Sequence, residues 1–179
     1  VVDRLAGEIA TPVSLDADAA AALEDALLCE DDLRGLSVGT ALAAAVRPAG
    51  LVVDVRRDET AAVRLAIVDG RRAREFWPIG WPIEKPSGVI APILGDKIKV
   101  DIKAFRLSQA LDAIQAKCGI PFLIDRNGLA EHGIDLEEVR VSYSHPEAPY
   151  SAILSRLLGQ TEPALRYEVR MDENEAPFL

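Results

Sequence analysis

Only two cysteines occur in the 179 residues, Cys29 and Cys118, far apart in the chain. There is no CxxC, which excludes a thioredoxin-type motif and a four-cysteine zinc site within the sequence. The expected state is two buried free thiols packing as small hydrophobes; the alternative is a disulfide between them. Histidine is nearly absent (two), methionine stands once, and aromatic residues make up 5%. The core must therefore be light and aliphatic. No run of about 18 apolar residues occurs, so no segment reads as a membrane-spanning helix. Basic residues are also scarce: 20 Lys and Arg against 29 Asp and Glu give a formal net charge of −9. That balance argues against nucleic acid or an anionic membrane surface as partner, because such binding rests on clustered Lys and Arg. No GxxxxGK[ST], GxGxxG or GxSxG is found, so phosphate-cradling loops and a nucleophile elbow are missing.

What is present is ordinary globular composition, 49% apolar and 27% charged. At this length one domain or two small ones are expected. The first residue is Val rather than Met, and no secretory signal stands at the start. The chain is expected to be a processed or trimmed product. Glu175–Leu179 stops while still apolar, which reads as truncation beside a strand or before a further segment.

The main division falls at Phe76–Asp96, which holds both tryptophans, Pro78, Pro82, Pro86, Pro92 and three glycines. Proline fixes φ and removes a donor, so this stretch is neither a long helix nor a central strand. The expected organisation is an N-terminal α/β unit (1–75), a Trp/Pro-rich linker (76–96) and a C-terminal domain (97–179). Trp77 and Trp81 flank a Pro-Ile-Gly turn and are expected to lock the two domains, mostly buried between them.

After the linker, Ile98–Ile102 alternates as a strand. A helix follows over 108–117, with Leu107, Ala110, Leu111 and Ile114 on one face. Gly119 is a C-cap, and Ile120–Ile124 a second strand before the turn Asp125-Arg-Asn-Gly128. A helical turn and loop occupy 129–138. The pattern then recurs: strand 139–143, loop 145–149, helix 150–159 and strand 165–169, then a polar turn 172–175 and a return at 177–179. In the first half, Val13–Leu15, Leu51–Val55 and Val63–Val68 read as strands, and Ala17–Leu28 as an Ala-rich helix. Asp32–Leu42 aligns with Asp101–Leu111 at an offset that also places Gly50 on Gly119. This reads as an internal duplication. The fold class expected is α+β: two small domains of β-α-β units, with helices on one face of short mixed sheets.

Val100-Asp-Ile-Lys-Ala-Phe-Arg-Leu-Ser-Gln-Ala-Leu111, Gly119 and Ile120–Asp125 together resemble the short N-terminal domain of secretins and TonB-dependent receptors. There a strand is followed by an apolar-Ser-x-Ala-Leu helix start, a glycine and a second strand. The second unit fits more loosely, with Pro149-Tyr-Ser-Ala-Ile153 in place of the Ala-Leu motif. The resemblance covers 97–179 well and 30–69 moderately. It implies a periplasmic interaction or signalling module, with no catalytic residue to carry over.

The residues themselves offer little chemistry. His132 and His145 lie in expected loops, and neither Glu30-Asp-Asp32 nor Asp172–Glu175 has the spacing of a calcium loop. Both acidic runs read as solvated loops, and Asp125 and Asp135 as turn and cap residues. No metal or cofactor is expected. Arg71, Arg72 and Arg74 lead into Phe76-Trp77 and read first as a solvated turn; the alternative is an interface with an acidic partner or with the protein's own acidic surface, and Arg beside Trp can stack as a cation–π pair. The expected function is a non-catalytic protein–protein interaction module of a bacterial cell-envelope assembly, in the periplasm. Its surface comprises Trp77, Trp81, Arg71, Arg72 and Arg74. The alternative is a small-ligand or glycan-binding protein using Trp77 and Trp81.

Overall fold

The computed structural model describes residues 2–9, 11–25, 31–57, 59, 61–73 and 75–179. The chain is α+β and divides into two units, Val1–Trp81 with Met171–Ala176, and Pro82–Arg170 with Pro177–Leu179.

The first unit contains α1 (Val2–Glu8), β1 (Val13–Leu15), α2 (Ala17–Asp25), α3 (Val38–Val46), β2 (Leu51–Arg57) and β3 (Val63–Asp69). Its sheet is mixed, in the order β1-β3-β2. β1 runs parallel to β3, with Val13 opposite Leu65, and β2 runs antiparallel from Leu51–Asp69 to Arg57–Val63. Residues 75–77 add a further edge: the Val55 amide donates to the Glu75 carbonyl at 2.8 Å, and the Trp77 amide to the Val53 carbonyl at 2.7 Å. α3 is buried from Thr40 to Val46. Its alanines keep the helix thin, so its backbone approaches the sheet closely. Leu42, Val46, Val53 and Ile67 fill the space between, as an aliphatic core requires.

The second unit contains α4 (Ser87–Ile90), a 3-10 turn (Pro92–Gly95), β5 (Lys97–Arg106), α5 (Leu107–Cys118), α6 (Arg126–Glu131), β6 (Arg140–Pro149) and α7 (Tyr150–Leu158). β5 and β6 form an antiparallel ribbon from Lys97–Pro149 to Arg106–Arg140. Its register shifts between Ile102 and Phe105, where Ala104 takes φ +53° and donates its amide to Ser142 Oγ at 2.8 Å. α5 buries Leu107, Ala110, Leu111, Ile114 and Cys118, the stripe that its i, i+3, i+4 spacing dictates. These meet Val100, Ile102, Val141, Ile153 and Leu157 in one cluster. Cys118 is a buried free thiol. Cys29 lies outside the described residues, and with it the question of its pairing.

Three short strands, β4 (Trp81–Pro82), β7 (Arg170–Met171) and β8 (Pro177–Phe178), stand where the chain passes from one unit to the other. A turn closed by the Asp172 amide on the Ala176 carbonyl, at 3.0 Å, joins β7 to β8.

Several elements differ from the sequence reading. Residues 76–96 are not a separate linker: 76–81 belong to the first unit and 82–96 to the second, where Ala91 and Leu94 are buried. The prolines sit where a missing amide costs nothing, Pro86 ahead of α4 and Pro92 at the start of the 3-10 turn. Residues 145–149 extend β6 instead of forming a loop, because β5 continues opposite them. Segments 120–124 and 165–169 are not regular strands. Pro121 has no amide, and the Phe122 amide donates to Gln115 Oε1; two ladder-like bonds tie the segment to the single residue Leu179, from the Leu123 amide to the Leu179 carbonyl and from the Leu179 amide to the Pro121 carbonyl. The second unit's long ribbon is thus purely antiparallel rather than mixed. The aligned repeats share their helix and a glycine at φ +71°, Gly50 and Gly119. They do not share a leading strand, since 31–37 is turn and coil where 100–106 is strand.

Candidate functional site

The surface read from the sequence lies in the first unit. Arg71 and Arg72 follow β3 in a turn, and each is neutralised locally. Arg71 meets Asp69 at 2.6 Å, and Arg72 meets Asp18 at 2.7 Å. Hydrogen bonds from the Arg71 side chain, then from its amide, hold the Asp69 carboxyl well below the usual carboxylate range. Arg74 lies outside the described residues.

Trp77 and Trp81 pack edge to face, with ring centroids 5.4 Å apart and planes at 76°. Trp77 is half-buried on the first unit's core, while Trp81 is 36% exposed. Trp81 is thus the more exposed of the two indoles. Phe76, the residue before Trp77, is 56% exposed. It is bridged to Asp54 on the edge of β2. Because the neighbouring residues 75 and 77 make the inward bonds, the Phe76 amide and carbonyl point away from β2. The result is a short sheet edge carrying an exposed Phe, with an exposed Trp five residues on.

Behind this edge lies an arrangement that the sequence reading missed. α3 has no acidic residue in its first turn and no local side-chain cap. Its free amides are met instead by the distant turn 172–176. Glu173 accepts from the Gly39 amide at 2.6 Å, the Thr40 amide at 3.3 Å and Thr40 Oγ1 at 2.9 Å. Ser37 Oγ also donates to Glu173, and the Ser37 amide donates to Asp172 at 3.2 Å. Asp172 is buried. The run Asp172–Glu175 is thus a remote helix cap and not a solvated loop. A carboxylate suits that position, where the helix dipole is positive. Trp77 presses on the same turn: a Cβ at Gly39 would stand 2.9 Å from its indole nitrogen and 2.7 Å from Glu173. The only legible signal was negative, a helix start lacking its acidic partner.

The second unit carries a groove of about 790 Å³. One wall is residues 164–170; the others are the end of α7 and residues around Pro82 and Ile83. Leu165, Tyr167 and Val169 turn inward, while Arg166 and Glu168 are exposed, the alternation of a strand. Burial pushes the Tyr167 phenol up. A second hollow of about 590 Å³ shares Ser155 and Gly159 with the first and reaches Tyr143, His145 and Arg156.

Among the described residues no three His, Cys, Asp or Glu side chains are placed to hold a metal ion, and no helix is long and apolar enough to cross a membrane. His132 Nδ1 lies 2.8 Å from the Gly128 carbonyl, and His145 stacks on Tyr143. Asp125 accepts from the Gly128 amide and Asp135 from the Glu137 amide, as turn and cap residues do. No protein-family profile, curated protein or solved structure matches the chain.

Proposed function

We propose that the chain is a non-catalytic protein–protein interaction module of a bacterial cell-envelope assembly, working through the first unit's aromatic edge. The observation that carries this reading is the Phe76 edge. A main-chain donor and acceptor face outward there, flanked by large apolar side chains exposed to water. Main-chain groups at a sheet edge supply affinity for an added strand, and apolar side chains supply the rest. The edge-to-face packing of Trp77 on Trp81 supports this reading over a sugar platform, which needs an open, flat ring face. The resemblance to the short domain of secretins and TonB-dependent receptors supports the periplasmic placement.

The test places a photo-crosslinking phenylalanine analogue at Phe76, at Trp81 and, as a control, at Val89 of the second unit, in cells making the full protein. A discrete protein adduct is expected from 76 and 81 and not from 89. Binding of the partner so identified must then weaken with Phe76→Ser. Absence of an adduct, or equal labelling at Val89, rejects the reading.

A further inference from the structure

We propose that the groove of the second unit binds an extended, acidic peptide segment of a partner protein, independently of the Phe76 edge. Three observations converge on it. The wall 165–169 alternates inward and outward like a strand but has almost no backbone partner. The Leu165 amide donates to the Leu158 carbonyl at 3.1 Å, and no main-chain hydrogen bond joins Arg166, Tyr167 or Glu168 to the described residues. In an extended chain the Arg166 and Glu168 amides point away from the side that Leu165 uses. They are open to a strand laid alongside.

The second observation is charge. The whole chain carries −9, yet the groove is lined by Arg166 and Arg170 and the adjoining hollow by Arg156, against the single carboxylate of Glu168. Glu168 is already engaged with Arg170 at 2.9 Å. Arg156 and Arg166 are exposed, and neither guanidinium makes an ion pair or hydrogen bond among the described residues. Two unpaired guanidinium groups, Arg166 on the groove and Arg156 on the hollow that adjoins it at Ser155 and Gly159, fit carboxylates spaced along an extended chain, since each offers a fork of donors matched to that group.

The third observation is size and lining. About 790 Å³ falls within the range of binding clefts, roughly 300–1,000 Å³. Leu158, Leu165 and Val169 give it an apolar floor. An occupant with alternating acidic and apolar residues satisfies both the guanidinium groups and the floor.

The test selects binders of the 179-residue chain from a phage-displayed library of random octapeptides. Enriched sequences are expected to alternate apolar residues with Asp or Glu. Their affinity should fall roughly tenfold or more on combined Arg156→Glu and Arg166→Glu, and with rising salt. Glu168→Pro, compared with Glu168→Ala so that the release of Arg170 is common to both, removes an unbonded amide and should weaken binding relative to that control, with the melting curve unchanged. Phe76→Ser should leave it intact, which separates this proposal from the preceding one. Four results overturn it: no enrichment, enriched peptides that bind the charge-reversed chain equally well, displacement by succinate as effective as by peptide, or a self-association that the charge reversal abolishes. Should Glu168→Pro unfold the chain, the charge reversal alone decides.

Discussion

Glu173 and Gly39 stand 134 residues apart in sequence, yet the Gly39 amide donates to the Glu173 carboxylate at 2.6 Å. The same carboxylate takes the Thr40 amide and hydroxyl. The first turn of α3 is therefore finished by a residue that comes only after Pro82–Arg170, nearly all of the second unit, in the chain. The cap leaves little room around it, as the contacts at Gly39 show.

Glu173→Ala should destabilise the first unit by about 1–3 kcal/mol, the cost of leaving several half-buried donors without their charged acceptor. Glu173→Gln should cost less, because it keeps one acceptor oxygen, although its amide nitrogen replaces the other and faces a donor. Both tryptophans lie in the first unit, so urea unfolding followed by tryptophan fluorescence reads that unit. Gly39→Ala should also destabilise, by about 1–3 kcal/mol, although alanine is the better helix former; the new methyl meets the indole and the carboxylate. A gain in stability there would mean that Trp77 is free to withdraw.

In the second unit, Leu111 sits on the buried stripe of α5 beside Leu107 and Ile114. Leu111→Ala should cost about 2–5 kcal/mol, as other large-to-small core changes do. Urea unfolding followed by far-ultraviolet circular dichroism checks it. A change below about half a kcal/mol would put Leu111 outside the core.

These two cases mark what was legible. Leu111, the stripe around it and the glycine after it follow from local spacing, and the structure places them as the spacing requires. The same holds for β1, β2, β3 and α7, whose patterns are strong over short windows. Glu173 is different in kind. Its role depends on a contact across 134 residues, and its local sequence, Asp-Glu-Asn-Glu, is what a solvated turn also looks like. Segments 120–124 and 165–169 show the converse. The first is a short apolar run and the second alternates, but a regular strand needs a neighbour along its whole length, and no local pattern reports the neighbour. The arginines of the expected interaction surface were visible as a cluster; the carboxylates of Asp69 and Asp18 that neutralise two of them lie on β3 and α2.

Gly50 and Gly119 invite a matched prediction. Both cap a helical segment at φ +71°, and a Cβ at either would meet nothing within 4 Å. The cost of alanine is thus conformational alone. Gly50→Ala and Gly119→Ala should each destabilise by about 1–2 kcal/mol, the usual penalty for a side chain in the left-handed region. Fluorescence-detected unfolding serves for Gly50, and circular dichroism for Gly119. A much larger loss at either position would reveal a steric contact that the geometry lacks.

The last prediction concerns acid. Ser144 Oγ donates to Asp101 Oδ1 at 2.5 Å across the β5–β6 ribbon, and Lys103 Nζ lies 3.0 Å from the other oxygen. The hydrogen bond from Ser144, then that from Lys103, lowers the Asp101 carboxyl below its ordinary range. A carboxyl depressed in the folded state adds stability above its unfolded pKa, near 3.9. That contribution is lost as pH falls through the lower folded value. The site is exposed, so its energetic share is small and the titration itself is the better readout. Carboxyl-carbon chemical shifts should show Asp101 titrating below unpaired aspartates. Ser144→Ala should move the midpoint up toward the ordinary value. An unchanged midpoint in Ser144→Ala would show that the Lys103 charge, and not the hydroxyl, sets the shift.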